Sequence, residues 1–210
     1  MEYSNLFNLR VLQSLKNSHL REEKYIMKTF IYPEMMTHVA LCTHKNPHAL
    51  MVVSDQSDLL KTEMGRYRDV EAAYVAASNL LEGLRNGTDK SVDVLLLDTL
   101  SDDSAVFAHA NRLLKEDGLM VCKHPDLDDM ASNTNLMQIL GNYFKIIMPY
   151  YDGNGATLLL CSKEYHPTAD LILQRSDLLE GHQFYNCDVH IGVFAMPQYI
   201  RKNYLGIIRN

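Results

Sequence analysis

From Ala49 onward the chain alternates short apolar runs with longer amphipathic stretches. The runs are Ala49–Val53, Ala72–Ala76, Val92–Leu97, Leu119–Cys122, Phe144–Met148 and Ala156–Cys161, lengths that suit strands. Between them, Ser57 to about Arg66, Leu80–Arg85, Ala105–Lys115 and Asp128–Leu140 have helical spacing, the last with Met130, Leu136, Met137 and Leu140 on one side. Ser101, Asp102 or Ser104 is available to cap the third of these helices, and the turn pair Asp117-Gly118 is expected to end it. Strands that are apolar on both faces and separated by helices require a parallel sheet covered on both sides. Only Asp152-Gly153-Asn154-Gly155 joins the last two runs, so they are predicted to form an antiparallel hairpin at one edge. The expected fold class is α/β: a Rossmann-like, mostly parallel sheet with a C-terminal antiparallel hairpin. Ile31–Thr43 reads as a helix leading into this domain, which is expected to span 31–210. Over 1–30 the pattern is mixed. Phe7, Leu9 and Val11 alternate like a strand, whereas Leu9, Leu12 and Leu15 have helical spacing, and a small N-terminal β element is expected there.

Composition fits this picture. The chain has 210 residues, 47% of them hydrophobic and 22% charged, the balance of one globular domain able to bury roughly 70% of its unfolded surface. A net charge of −6 argues against nucleic acid or an anionic membrane as the main partner. No apolar run approaches the roughly 20 residues of a membrane span, and Met1–Phe7 lacks the basic-then-apolar pattern of a secretory signal. Cys42, Cys122, Cys161 and Cys187 include no CxxC pair; they read as reduced, mostly buried thiols, and a cytoplasmic setting is expected.

In an open parallel sheet, ligands bind beyond the carboxyl ends of the strands. The first strand ends in Ser54-Asp55-Gln56-Ser57-Asp58, without the glycines that let a backbone approach a nucleotide closely, and the second in Ala76-Ala77-Ser78-Asn79, without the acid that would hold a ribose. The strand Val92–Leu97 ends in Asp98-Thr99-Leu100-Ser101-Asp102-Asp103. Three carboxylates there would make a negative mouth able to hold a cationic amine and accept its proton. Alternatively, Asp102 and Asp103 merely cap the next helix and favour its start; Asp98 belongs to the strand end and is not explained by capping. Asp126, Asp128 and Asp129 read as another helix start. His38, Cys42, His44 and His48 fit no closed zinc spacing and read as surface and helix-end groups, so no metal site is expected. Tyr150 and Tyr151, at the hairpin turn, either line a pocket or cover the sheet edge.

Several segments together resemble the polyamine aminopropyltransferases, the spermidine synthase family. Tyr32-Pro33-Glu34-Met35, followed by Leu41-Cys42-Thr43-His44-Lys45-Asn46-Pro47, is similar to the family's helix before the first strand. Leu114-Lys115-Glu116-Asp117-Gly118 matches a recurrent turn, and Pro149-x-Tyr151 with Leu160-Cys161-Ser162-Lys163 resembles the hairpin. Most specific is Phe184-Tyr185-Asn186-Cys187-Asp188-Val189-His190, leading to Phe194-Ala195-Met196-Pro197. The resemblance implies a methyltransferase-type sheet and transfer of an aminopropyl group from the co-substrate decarboxylated S-adenosylmethionine to putrescine, releasing methylthioadenosine. It implies Asp98 as the proton acceptor, and Tyr32, Tyr151 and one or both of Asp102 and Asp103 as amine-binding groups. It also implies a homo-oligomer, a dimer or tetramer. The departures concentrate in the nucleoside half: the family's Gly-Gly-Gly-Asp-Gly loop is here Ser54–Asp58, and its ribose-binding acid falls near Ala77. Asp55 or Asp58 is the available replacement. The stretch Ser54–Ser91 is also well short of the roughly 60 residues that two strand–helix units occupy, so one unit is expected to be shortened or lost. The alternative function is a catalytically degenerate homologue that binds polyamines or acts as a partner subunit.

Overall fold

The computed structural model describes residues 29–210; apart from its last two residues, the β element expected over 1–30 lies outside them. The first helix, α1 (Ile31–Thr43), is buried along its whole length except at Tyr32. That follows from a sequence apolar almost all the way round. Its buried Glu34 accepts the backbone N–H groups of Gln183, Phe184 and Tyr185, each at 2.8 Å. One inward-facing carboxylate thus ties α1 to the Phe184–His190 segment.

Six strands follow: β1 (Ala49–Val53), β2 (Glu71–Val75), β3 (Val92–Leu97), β4 (Leu114–Lys123), β5 (Ile146–Tyr151) and β6 (Thr157–Ser162). They form one sheet in the order β2-β1-β3-β4-β6-β5. The β1–β2, β1–β3 and β3–β4 pairs are parallel, and β6 runs antiparallel to both β4 and β5. Between the strands lie α2 (Ser57–Met64), α3 (Leu80–Asn86), α4 (Ser104–Leu113) and α5 (Met130–Leu140). The predicted parallel sheet with an edge hairpin is therefore the observed one. The interval between β1 and β3 holds a single strand, β2, flanked by two short helices, as its length required. β2, the edge strand of the described sheet, is largely exposed.

Alternation along the strands divides the core. Met51, Val53, Leu95, Leu97, Met120 and Cys122 face the layer containing Phe107, Leu113, Leu136 and Leu140 from α4 and α5. The intervening residues, such as Val52, Leu96 and Val121, are equally buried, and α1 packs against β3 and β4. After β6 come three short helices, α6 (Leu173–Leu178), α7 (Cys187–Gly192) and α8 (Gln198–Asn203). The hairpin turn needs glycine at Gly153: its φ is +82°, and a Cβ there would lie 2.5 Å from Ile31 and 2.8 Å from the Phe184 ring.

Four local expectations are corrected. The cap of α4 is Asp103, whose carboxylate accepts the Ala105 N–H at 2.8 Å, so the group at the cap position is neither Ser101, Asp102 nor Ser104. Asp117-Gly118 does not end α4, which stops at Leu113; the pair instead lies in an irregular part of β4, where five residues advance against two of β3. Met130, at the first position of α5, lies outside the stripe formed by Asn133, Leu136, Met137 and Leu140 and is 40% exposed. Tyr150 is fully buried, with its hydroxyl donating to Met35 O, while Tyr151 is half-buried.

Candidate active site

The chain runs from β1 outward to β2, then returns past β1 to β3, so the sheet order reverses between β1 and β3. The crevice at such a reversal is where open α/β sheets bind ligands. Parallel pairing sets Val53 beside Leu97 and Leu97 beside Cys122. The next residue on each strand is polar or at the strand's end: Ser54, Asp98 and Lys123. Asp98, its side chain 7% exposed, gathers three donors. Its Oδ1 accepts from the Tyr32 hydroxyl at 2.6 Å and the Lys123 ammonium at 2.7 Å; its Oδ2 accepts from the Ser54 hydroxyl at 2.6 Å. Tyr32 reaches the site from the first turn of α1. Burial, reinforced by the Asp98 charge, pushes its phenol far above the usual range, so it remains a hydrogen-bond donor. The Lys123 Nζ also lies 5.3 Å from the centroid of the Tyr32 ring, within cation–π range. A carboxylate fixed from two sides and already holding an ammonium has the chemistry to bind a cation and to accept a proton.

A cavity of about 340 Å³ opens past the end of β4, lined by His124, Asp126, Asp128, Tyr151, Thr157 and Tyr199 among others. Asn133 fixes the His124 tautomer. The Asn133 amide nitrogen donates to Pro125 O, Asp126 O and Asp129 O, so its Oδ1 must accept, and His124 Nδ1 donates to it at 2.7 Å. His124 Nε2 is then a bare acceptor, buried and without a partner among the described residues. Burial pushes this imidazole below its usual pKa, keeping it neutral.

No family model matches the chain. It is 25% identical to the polyamine aminopropyltransferase of Helicobacter acinonychis (strain Sheeba), over 84% of this chain and 78% of that protein. It is also 25% identical to the polyamine aminopropyltransferase of Clostridium beijerinckii, over 85% of this chain and 79% of that one. Over 100 residues, 43% of this chain and 37% of the other, it is 32% identical to the polyamine aminopropyltransferase of Helicobacter pylori (strain G27). Over most of its length the chain is similar to polyamine aminopropyltransferases. Its fold agrees. A spermidine synthase solved in complex with the transition state analogue AdoDATO superimposes with a TM-score of 0.75 at 20% identity, over 86% of this chain and 76% of that one. The spermidine synthase of Thermotoga maritima gives 0.73 at 21% identity, with the same coverage.

Within this family fold, the residues singled out from sequence separate. Asp98 and Tyr32 meet, and Tyr151 lines the cavity past the end of β4, to whose lining neither of them contributes. Asp102 and Asp103 do not join Asp98 in a common mouth. Asp103 is committed to capping α4, and Asp102 is exposed beside a smaller hollow of about 280 Å³ that also touches Pro125. The charge at the strand end is therefore that of Asp98, balanced by Lys123. Asp55 is exposed and accepts the Ala77 N–H at 2.9 Å, pinning the end of β1 to the end of β2. Asp58, 93% exposed, pairs with Lys61 on the outside of α2. The Gln56 N–H in this loop is taken by Ser54 Oγ at 2.9 Å.

The histidines expected at the surface are corrected as well: His38 and His44 are buried, and only His48 is exposed. His38 bridges the Tyr67 hydroxyl at 2.7 Å and Glu63 at 2.9 Å. Burial acts to raise the Glu63 carboxyl, but hydrogen bonds from His38 and Arg66 outweigh it and hold it at about 2. His44, Asp93 and Asp117 place one ligand atom each within 4.8 Å of one another. Their protons argue against a metal centre. Asn46 N–H donates to His44 Nδ1, leaving the imidazole hydrogen on Nε2, and the Lys115 ammonium holds Asp93 at 2.7 Å. Sequence reasoning did not find Ser54 and Lys123 as partners of Asp98. The signal was present, since Ser54 and Lys123 directly follow the buried runs that flank the Asp98 strand.

Proposed function

We propose that this chain transfers an aminopropyl group from decarboxylated S-adenosylmethionine to a putrescine-type diamine. The observation that supports this most directly is the Asp98 carboxylate at the β1/β3 reversal, oriented by Tyr32 and Ser54. An ammonium cannot attack carbon; the amine must first lose a proton, and in this reading Asp98 takes it. The free amine then forms a bond to the CH₂ beside the sulfonium. The carbon–sulfur bond breaks and its electron pair goes to sulfur, giving neutral methylthioadenosine. The leaving group is already activated, so positioning supplies much of the rate. Tyr151, with the carboxylates of Asp126 and Asp128, suits the far ammonium of the diamine. On the nucleoside side, Asp55 is the replacement acid: one carboxylate oxygen holds Ala77, and the other remains to accept a ribose hydroxyl. Asp58, paired with Lys61 in solvent, has no part in this reading.

Incubation with decarboxylated S-adenosylmethionine and putrescine, with methylthioadenosine followed by chromatography, tests the proposal. Wild-type protein should release the nucleoside, and Asp98→Asn should slow release by about a hundredfold or more. Release no greater than that of Asp98→Asn would remove Asp98-assisted transfer.

A further inference from the structure

Asp98 carries more ligands than a waiting proton acceptor needs. A carboxylate offers about four lone-pair positions. Here Oδ1 holds both the Tyr32 hydroxyl and the Lys123 ammonium, while Oδ2 holds the Ser54 hydroxyl. The one remaining position lies on a carboxylate whose charge is already matched, so an incoming ammonium meets a neutral pair and not an anion. Tyr32 and Ser54 are fixed to α1 and to the end of β1 and cannot withdraw without moving those elements. Lys123 differs. It ends β4 on a long, flexible stem, its side chain is 41% exposed, and Asp98 is its ion-pair partner. Carboxylate on one side and the Tyr32 ring face on the other form the kind of half-box that recognises a primary ammonium.

We infer that Lys123 is a built-in competitor for the acceptor amine: its ammonium occupies the place on Asp98 that the substrate ammonium must take, and the residue thereby sets acceptor affinity and specificity. This rests on the aminopropyl-transfer reading only in taking Asp98 as the amine anchor. Binding of the diamine requires Lys123 to swing toward solvent, which its exposure permits. Its removal leaves Asp98 an unmatched anion held by two neutral donors. An acceptor must therefore outcompete a tethered ammonium, which favours amines with a second cationic group to add binding energy over simple monoamines.

The test is calorimetric titration of putrescine and of butylamine into wild-type protein, Lys123→Gln and Lys123→Ala. Lys145→Gln serves as the control for removing one positive charge, at an exposed pair with Glu164 just before β5. Both Lys123 variants should bind putrescine roughly tenfold tighter, and butylamine should gain as much or more. Lys145→Gln should match wild type. The KM for putrescine in the methylthioadenosine assay should fall with the dissociation constant. Unchanged or weaker putrescine binding in both Lys123 variants overturns the inference; if wild type still releases methylthioadenosine, the transfer reading stands without it. Tighter binding in the variants, with no methylthioadenosine from any protein, keeps Lys123 as the competitor and rejects the transfer reading. No diamine binding by any of the proteins rejects both.

Discussion

Asp98 and Asp103 are the same residue type five positions apart, and their surroundings give them different work. Asp98 follows a strand buried on both faces and ends in a crevice, so its carboxylate is held by side chains from three elements. Asp103 sits in solvent at a helix start, where its carboxylate satisfies one of the N–H groups that every helix leaves open. Replacing Asp103 with Ala should cost about 1 kcal/mol of stability, read as a lower Tm, while putrescine affinity stays at the wild-type value. A loss of affinity equal to that of an Asp98 variant would place Asp103 in the amine site after all. Sequence identified the acidic segment. It also set Asp98, at the strand end, apart from the helix start, but it did not give the partners of Asp98, because strand register decides which side chains meet.

Among the elements, α1 does the most to connect the fold with the site. Its first turn delivers Tyr32 to Asp98, and two residues later Glu34 holds three consecutive backbone amides of the C-terminal segment. Those amides have no other described acceptor, and the carboxylate is fully buried. A glutamine would present one oxygen and an NH₂ group that opposes the remaining N–H groups. Glu34→Gln should therefore destabilise the protein by roughly 2–4 kcal/mol, measured as a lower midpoint in urea denaturation. A change below about 0.5 kcal/mol would mean that the segment is held by packing alone. The helix itself was legible from its apolar run. The job of Glu34 was not, because its partners lie about 150 residues away.

At the scale of the whole molecule, four imidazoles among the described residues are buried in neutral form. His190 donates Nε2–H to Pro167 O at 3.0 Å and accepts the Tyr185 hydroxyl at 2.8 Å on Nδ1, and burial lowers its pKa from 6.5 to about 4. Burial pushes His38, His44 and His124 in the same direction. The unfolded chain takes up these protons near pH 6.5, before the folded protein does, so stability is complete above that pH and falls as the pH drops toward 4. His190 alone accounts for about 3 kcal/mol. Glu63, held at about 2, extends the loss at still lower pH. Thermal melts between pH 7.5 and 4 should show a steadily falling Tm; a flat profile would contradict neutral burial of these groups. The sequence did not disclose this, since a histidine in an apolar helix and one at a surface have the same neighbours in the chain.

What the sequence determined by itself was the alternation of apolar runs and amphipathic stretches. From that followed the strands, most of the helices, the edge hairpin and the single strand that fits between β1 and β3. These are local properties: burial on both faces leaves its mark in consecutive residues, and a short interval cannot hold a second unit. The family motifs, from Tyr32-Pro33-Glu34-Met35 to the C-terminal segment, were legible in the same way. The tertiary structure alone decided which polar groups meet. Asp98, Ser54 and Lys123 come from three strand ends aligned by parallel register and Tyr32 from a helix, and the three partners lie within 2.7 Å of the Asp98 carboxylate. Hydrogen bonds of this kind depend on distances that sequence separation does not encode, which is why the charge at the crevice emerged as one aspartate matched by one lysine.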